Sequence, residues 1–178
     1  MRRAAIIAAF LSVLLGAEGG FGARPEPAGA RAQVALFYYA WYGTPSFDGA
    51  WLHWGQGEQT PPAGIGSSFY PARGVYSSSD TGVVRAQMEE IAGVGIDTVI
   101  VSWWGPGSVE DARLRPVAAA ARAAGLRVAL HVEPWRGRTP AAVVAALREL
   151  APLGIRDVYV YDSMAYPATE WAAANAQL

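Results

Sequence analysis

Cysteine and lysine are both missing from this 178-residue sequence, and all 14 basic residues are arginines. Without cysteine, the chain has no disulfides, no thiolate metal ligands and no cysteine nucleophile. The formal net charge of −1 gives no reason to expect nucleic acid or an anionic membrane surface as a partner. The sequence has two histidines, His53 and His131, without metal-ligand spacing, so it predicts neither a metal site nor a cofactor.

Two widespread enzyme motifs are missing as well. No G-x-G-x-x-G turn follows a strand-like segment, which disfavours a dinucleotide-binding fold. No G-x-S-x-G elbow is present either, so a serine hydrolase has no support. The main apolar run, residues 4–15, is shorter than the ~20 residues that a membrane-spanning helix needs.

The N-terminal residues have the pattern of a secretory signal peptide. Arg2 and Arg3 precede the apolar run, and Phe21-Gly22-Ala23 forms a plausible cleavage tripeptide. An uncleaved anchor is the less favoured alternative because the run is short. We predict a signal peptide over residues 1–23, a Pro/Gly/Ala linker over 24–30 and a domain over 31–178. The protein is then exported by a bacterium, with no stable membrane anchor after cleavage.

Strand-like and helix-like segments alternate along the domain. Short apolar runs begin near Val34, Asp97, Arg127 and Asp157, and segments with helical spacing begin near the capping residues Ser79 or Asp80, Ser108 and Thr139. This alternation predicts βαβ units with a parallel sheet, in an open doubly wound sheet or in a (β/α)₈ TIM barrel. The strand ends carry aromatic, histidine or carboxylate residues, which favours the barrel. Roughly four units are visible, about half of the eight that a barrel needs, so we expect a truncated α/β barrel.

Aromatic residues are abundant and concentrate after the strands. The chain has seven tryptophans and eight tyrosines, which suit carbohydrate because sugar faces stack on rings. Residues 40–79 form a long segment without periodicity, which we interpret as an ordered loop over one end of the fold. We expect Phe37 to be a core residue. The candidate ligand-facing residues are Tyr38, Tyr39, Trp41, Tyr42, His53, Trp54, Trp104, His131, Glu133 and Asp162.

Carboxylates follow the third and fourth strands. His131 and Glu133 are two residues apart and therefore share a face, and a carboxylate at a barrel-strand tip usually binds or reacts. A purely structural His–Glu or Arg–Glu pair is the alternative for Glu133, and a capping role is the alternative for Asp162. From the residues alone, Glu133 and Asp162 are candidates for the carboxylate pair of a glycosidase.

Five blocks run in order from about Gln33: FYYAWYGTPSFDGAWLHW, PPAGIGSSFYPARGVYSSSD, VIVSWWGPGS, ALHVEPWRGR and YVYDS. Their order and spacing closely resemble glycoside hydrolase family 99, the endo-α-mannosidase and endo-α-mannanase family. The resemblance implies a metal-independent, retaining (β/α)₈ enzyme that cleaves internal α-1,2-mannosidic bonds. The implied partner is α-mannan or an N-glycan-type oligosaccharide.

The resemblance also implies a mechanism and changes the role of Glu133. One family carboxylate acts as base on the substrate's own 2-hydroxyl, giving a 1,2-anhydro sugar, and a second acts as general acid. Both belong to a Glu-Trp-x-Glu motif late in the barrel. Here Glu170-Trp171 is followed by Ala and stands too early, so we expect the catalytic pair beyond Leu178. Glu133 matches a Glu that lines the sugar site, and Trp104 matches an aromatic at a sugar subsite.

A further departure and two alternatives remain open. The connection between Leu150 and Val158 is shorter than in the family. A non-catalytic carbohydrate-binding remnant of the same fold is the main alternative, and a related hydrolase of another α-glycan is a weaker one. A half barrel leaves free strand edges and an apolar interior, so residues 31–178 alone are expected to aggregate or dimerise.

Overall fold

The computed structural model describes residues 32–178, and the predicted signal peptide and linker lie outside the described residues. The described chain contains a four-stranded parallel sheet with the order β1-β2-β3-β4. Consecutive strands are therefore neighbours, as in a barrel, and the order never reverses as it does in a doubly wound sheet. The strands are β1 (Ala35–Tyr38), β2 (Thr98–Trp103), β3 (Arg127–Val132) and β4 (Val158–Val160).

Helices connect the strands and begin where local sequence signals predict. Asp80, Ser108 and Thr139 each accept a backbone N–H hydrogen bond with the side chain at the start of a long helix. Two short 3₁₀ turns cover residues 151–153 and 163–165. The helices are α1 (Pro45–Asp48), α2 (Thr81–Gly93), α3 (Val109–Ala123), α4 (Pro140–Leu150) and α5 (Ala168–Asn175).

One face of the sheet is covered by helices. Its strand side chains join Val84, Met88, Leu114 and Val117 in one buried apolar cluster. Burial of this apolar surface is the main stabilising contribution of the fold. We name this the covered face, and its strand residues are Tyr38, Val99, Val101, Trp103, Leu130 and Val132.

The other face of the sheet carries aromatic residues that remain accessible, and we name it the open face. Successive strand residues point to opposite faces, so the open face consists of the alternate positions. Phe37 is 50% exposed there, and the prediction that it is a core residue is wrong, because its neighbour Tyr38 takes the covered side. The open-face residues are Phe37, Tyr39, Ile100, Ser102, Trp104, Ala129, His131, Glu133, Tyr159 and Tyr161, of which Ile100 and Ala129 are buried apolar residues.

A buried ion pair fixes the long loop between β1 and α2. Arg113 of α3 donates to the Asp48 carboxylate over 2.7 Å and to the carbonyl of Ala40 over 2.8 Å. Ser77 and Ser79 donate to the same carboxylate, each over 2.6 Å. Burial alone would raise the pKa of Asp48, but the hydrogen bonds outweigh it and lower the pKa to about 2. The loop is therefore ordered, as expected.

None of the helices between residues 32 and 178 has both the length and the apolar character needed to cross a membrane.

Candidate functional site

Glu133 lies at the carboxyl end of β3, and two neighbouring side chains form hydrogen bonds to one of its carboxylate oxygens. Its backbone N–H donates to the carbonyl of Trp103 over 2.8 Å, which extends the ladder one step past β3. Ser102 Oγ donates to Glu133 Oε1 over 2.8 Å, and His131 Nδ1 lies 2.9 Å from the same atom. The carboxylate is only 7% exposed, so both hydrogen bonds fix its orientation. Among the described residues, Oε2 accepts no hydrogen bond and is therefore free to accept one from a ligand.

His131 is held between two aromatic ring edges. The Phe37 ring lies 5.2 Å from its imidazole at an interplanar angle of 76°, and the Tyr161 ring lies 6.1 Å away at 84°. With Glu133 ionised, Nδ1 of His131 is the donor in their hydrogen bond, because a carboxylate only accepts. In the neutral imidazole, Nε2 is then an acceptor for a ligand hydroxyl.

The two adjacent tryptophans at the end of β2 point to opposite faces of the sheet. Trp103 is 1% exposed and donates from Nε1 to Asp111 of α3 over 2.8 Å. Trp104 is 38% exposed and lies on the open side. Gly105 sets the turn with φ of 91°, and an added Cβ there would lie 2.5 Å from the Trp135 ring. The turn therefore requires glycine, and it presents the Trp104 indole to solvent.

A row of three rings extends from the end of β1 into the loop. Tyr39 lies 4.7 Å from Trp41, and Trp41 stacks on His53 at 4.7 Å with an interplanar angle of 8°. His53 has φ of 58°, a conformation that non-glycine residues adopt infrequently. The loop thus holds an exposed imidazole on an indole face, which is an arrangement suited to contacting a sugar.

Three predicted site residues pack against other parts of the protein instead, Tyr38 and Trp54 buried and Tyr42 half-buried. Tyr38 is buried on the covered face and donates its hydroxyl to Gln87 over 2.7 Å, and burial raises its pKa. Trp54 is 1% exposed and donates to the carbonyl of Tyr76 over 2.8 Å. Tyr42 stacks on Trp54 at 4.1 Å. These residues stabilise the strand and loop, and we do not retain them as ligand contacts.

Asp162 follows β4 and is exposed in a left-handed conformation, with φ of 47°. Its side chain makes no capping hydrogen bond to the turn that it precedes. The hydrogen bonds of Glu133 go to Ser102 and His131 and not to Asp162. The structure therefore does not join Glu133 and Asp162 in one hydrogen-bonded carboxylate pair.

The described residues contain no group of three or more His, Asp or Glu side chains that is arranged to hold a metal ion. A groove of about 450 Å³ lies at the opposite, amino-terminal end of β3 and β4, lined by Leu126, Arg127, Val128, Gly154 and Asp157 among others. We place the candidate site at the carboxyl ends instead, because the fixed carboxylate and the exposed indole lie there and a barrel would close over them.

Sequence reasoning missed Ser102 as a site residue. It is the one hydroxyl side chain among the apolar residues that follow Thr98 in β2, and its partner Glu133 lies 31 residues further on. A lone polar residue in a buried run is a usable signal, because its hydroxyl needs a hydrogen-bond partner. The arrangement as a whole supplies oriented acceptors, donors and an aromatic platform, the elements that bind a sugar ring.

Comparison with known proteins gives consistent results. Residues 30–176 match the model of Glycosyl hydrolase family 99. A glycoprotein endo-alpha-1,2-mannosidase of Xenopus laevis is 34% identical over 125 residues, covering 58% of this chain and 28% of that protein. A Danio rerio protein described as glycoprotein endo-alpha-1,2-mannosidase-like is 30% identical over 182 aligned positions, covering 78% of this chain and 40% of that one.

Solved structures agree with the sequence matches. The GH99 endo-alpha-mannosidase from Bacteroides thetaiotaomicron, solved in complex with bis-tris-propane, aligns with a TM-score of 0.67 and 28% identity. The alignment covers 79% of this chain and 45% of that chain, so this chain spans less than half the length of these relatives. The predicted (β/α)₈ barrel, with about half of it in this sequence, is confirmed. The chain belongs to glycosyl hydrolase family 99.

Proposed function

We propose that this chain forms the sugar-binding part of an exported endo-acting α-mannosidase. The observation that carries the proposal is Glu133, a buried carboxylate at a barrel-strand tip whose Oε1 accepts from both Ser102 and His131. A carboxylate whose role is purely structural would be expected to use both oxygens, whereas Oε2 accepts no hydrogen bond from the described residues. Oε2 is suited to accept a hydrogen bond from a mannose hydroxyl.

The aromatic groups supply the remaining contacts. Trp104 offers an exposed indole beside this carboxylate along the open face. The row of Tyr39, Trp41 and His53 forms a second platform on the loop. Sugar C–H faces stack on such rings while the hydroxyls bond to polar edges, so the two platforms together accommodate more than one sugar unit. The proposed ligand is therefore an internal stretch of α-mannan or of an N-glycan-type chain.

The proposed reaction is retaining cleavage of internal α-1,2-mannosidic bonds through the substrate's own 2-hydroxyl. We assign neither the base nor the acid to a residue of the printed sequence, because the Glu-Trp-x-Glu pair has no match in it. Glu170 is exposed in the first turn of α5, and Trp171 donates its Nε1–H to the carbonyl of Ser163. Glu133 holds substrate in this scheme and transfers no proton.

A titration and a product assay test the proposal together. We expect the full chain to bind a mannose-α-1,3-mannose ligand in isothermal titration, and Glu133→Gln to lose most of that affinity. Glu149→Gln, at a carboxylate on α4, is the matched control and should bind normally. Absence of binding by the unaltered chain, or unchanged binding by Glu133→Gln, contradicts the proposed site.

A second candidate is a carbohydrate-binding protein without catalysis, favoured because the hydrogen bonds of Glu133 involve no second carboxylate among the described residues. The two candidates differ in turnover on α-mannan. Binding with release of oligosaccharides supports the hydrolase, and binding without any product supports the second candidate. Turnover on α-glucan but not on α-mannan contradicts both and points to another substrate.

A further inference from the structure

We propose that Arg138 is a positioning residue for the sugar site, acting through the end of β4 on His131 and Glu133. The inference rests on the proposed function and extends it to a residue outside the open face. Arg138 follows the turn after Glu133 and is only 8% exposed. A buried arginine requires partners for its N–H groups, and those partners identify what it holds.

The guanidinium of Arg138 joins two strand ends. Its Nη1 donates to the carbonyl of Tyr161 over 2.7 Å and lies 3.4 Å from the carbonyl of Val132. The same Val132 carbonyl accepts from the backbone N–H of Tyr161 over 3.0 Å. Arg138 therefore reinforces the last hydrogen-bonded position between β3 and β4, where the ladder ends.

The end of β4 depends on such reinforcement. This strand pairs with β3 at three positions, compared with six between β2 and β3. Directly after Tyr161 the backbone turns sharply, because Asp162 has φ of 47°. A second contact comes from Tyr166, whose hydroxyl donates to the carbonyl of Arg138. The turn after β3 and the turn after β4 are thus bound to each other through Arg138.

Tyr161 passes this constraint to the site. The centroids of its ring and of the His131 imidazole are 6.1 Å apart at an interplanar angle of 84°, and Nδ1 of that imidazole lies 2.9 Å from Glu133 Oε1. If the Tyr161 backbone shifts, the ring no longer confines His131 on that side, and the Nδ1 hydrogen bond loses its fixed direction. Arg138 contacts no ligand in this scheme and sets the orientation of residues that do.

Histidine NMR offers a readout that a merely stabilising role would not change. The chain has two histidines, so ring signals of His131 and His53 are assigned with a single substitution. We expect Arg138→Met to move the His131 ring signals, because the ring currents of Tyr161 and Phe37 act on them. The His53 signals, dominated by stacking on Trp41, should stay unchanged.

Two further variants control the experiment. Arg136→Met removes an exposed arginine from the same turn and should leave the His131 signals in place. Tyr166→Phe removes only the hydroxyl that binds the Arg138 carbonyl, and should move the His131 signals in the same direction by a smaller amount. Tyr166→Phe keeps the test available if Arg138→Met does not fold.

Ligand titration on the same samples separates this inference from the proposed function. We expect Arg138→Met to bind mannose-α-1,3-mannose several-fold more weakly than Arg136→Met. Movement of the His131 signals without any mannoside binding by the unaltered chain supports the positioning role and contradicts the proposed function. A lower melting temperature with unmoved His131 signals in Arg138→Met and Tyr166→Phe overturns the positioning role.

Discussion

The two faces of the sheet are made from alternate residues of the same four strands, yet they differ completely in character. The covered face is aliphatic except for two aromatic rings, and its members are buried beneath the helices. The open face carries rings, a histidine and a carboxylate, and several of its aromatics are 38–53% exposed. Stability is therefore concentrated on the covered face and the proposed ligand contact on the open face, so substitutions on the two faces should have separable effects.

The largest expected effect comes from truncating Trp103 on the covered face, compared with truncating its neighbour Trp104 on the open face. Trp103→Ala removes a buried indole and its hydrogen bond to Asp111, and should cost about 3–5 kcal/mol of unfolding free energy. Trp104→Ala should leave the unfolding free energy nearly unchanged and reduce mannoside binding. Chemical denaturation and ligand titration of both variants provide the check. Equal loss of stability in both would remove the distinction between the faces.

Acid should weaken the ion pair between Asp48 and Arg113, which anchors the loop between β1 and α2. The pKa of Asp48 is lowered from 3.8 to about 2 in the folded protein. Its contribution to the free energy of unfolding is therefore complete above the pKa of the unfolded chain, and it disappears as the pH falls through the pKa of the folded protein. We expect about 2 kcal/mol of stability to be lost between about pH 4 and pH 2 from this group. Asp48→Asn should be less stable at neutral pH and lack this component of the pH dependence. Denaturation curves at several pH values measure both.

The turn after β2 should be destabilised by a side chain at Gly105. Gly105→Ala places a Cβ against the Trp135 ring in a left-handed backbone, at a cost of about 1–3 kcal/mol. Gly107→Ala is a matched control, because Gly107 has a similar φ of 78° with open space around it. Thermal melting should show a clearly larger loss for Gly105→Ala. Equal losses would mean that backbone strain alone is responsible.

The smallest effect is expected at the periphery of the open face. Tyr159→Thr changes a ring that is 51% exposed on β4 and should alter the unfolding free energy by no more than about 0.5 kcal/mol. The same change lowers the exposed apolar area and should reduce self-association of the chain. Light scattering and denaturation test the two effects separately. A large loss of stability would show that the open face contributes to the core.

Local patterns predicted the helices well because their signals are contained within a few residues. Asp80, Ser108 and Thr139 begin helices through hydrogen bonds to N–H groups two or three positions ahead. The alternation along β2 likewise separated Trp103 from Trp104. The prediction that Phe37 is a core residue is wrong because an apolar strand residue fits the same sequence pattern on either face of the sheet.

Contacts between distant segments cannot be predicted from the sequence alone. Asp48 and Arg113 are 65 residues apart, and nothing local to either marks the other as its partner. Ser102 and Glu133 meet only because β2 and β3 pair in one particular register. The aromatic cluster of Tyr42, Trp54 and Tyr76 is equally a product of tertiary packing, and the sequence does not distinguish such packed rings from ligand contacts.

Indole NMR during mannoside titration tests the central claim, that the open face binds sugar, most directly. The seven tryptophans give separate Nε1–H signals, and single substitutions assign those of Trp103 and Trp104. Added mannose-α-1,3-mannose should shift the Trp104 signal in a saturable manner and leave Trp103 and Trp171 in place. Saturable shifts at Trp171 without any at Trp104, or no shifts at all, would contradict a sugar site on the open face.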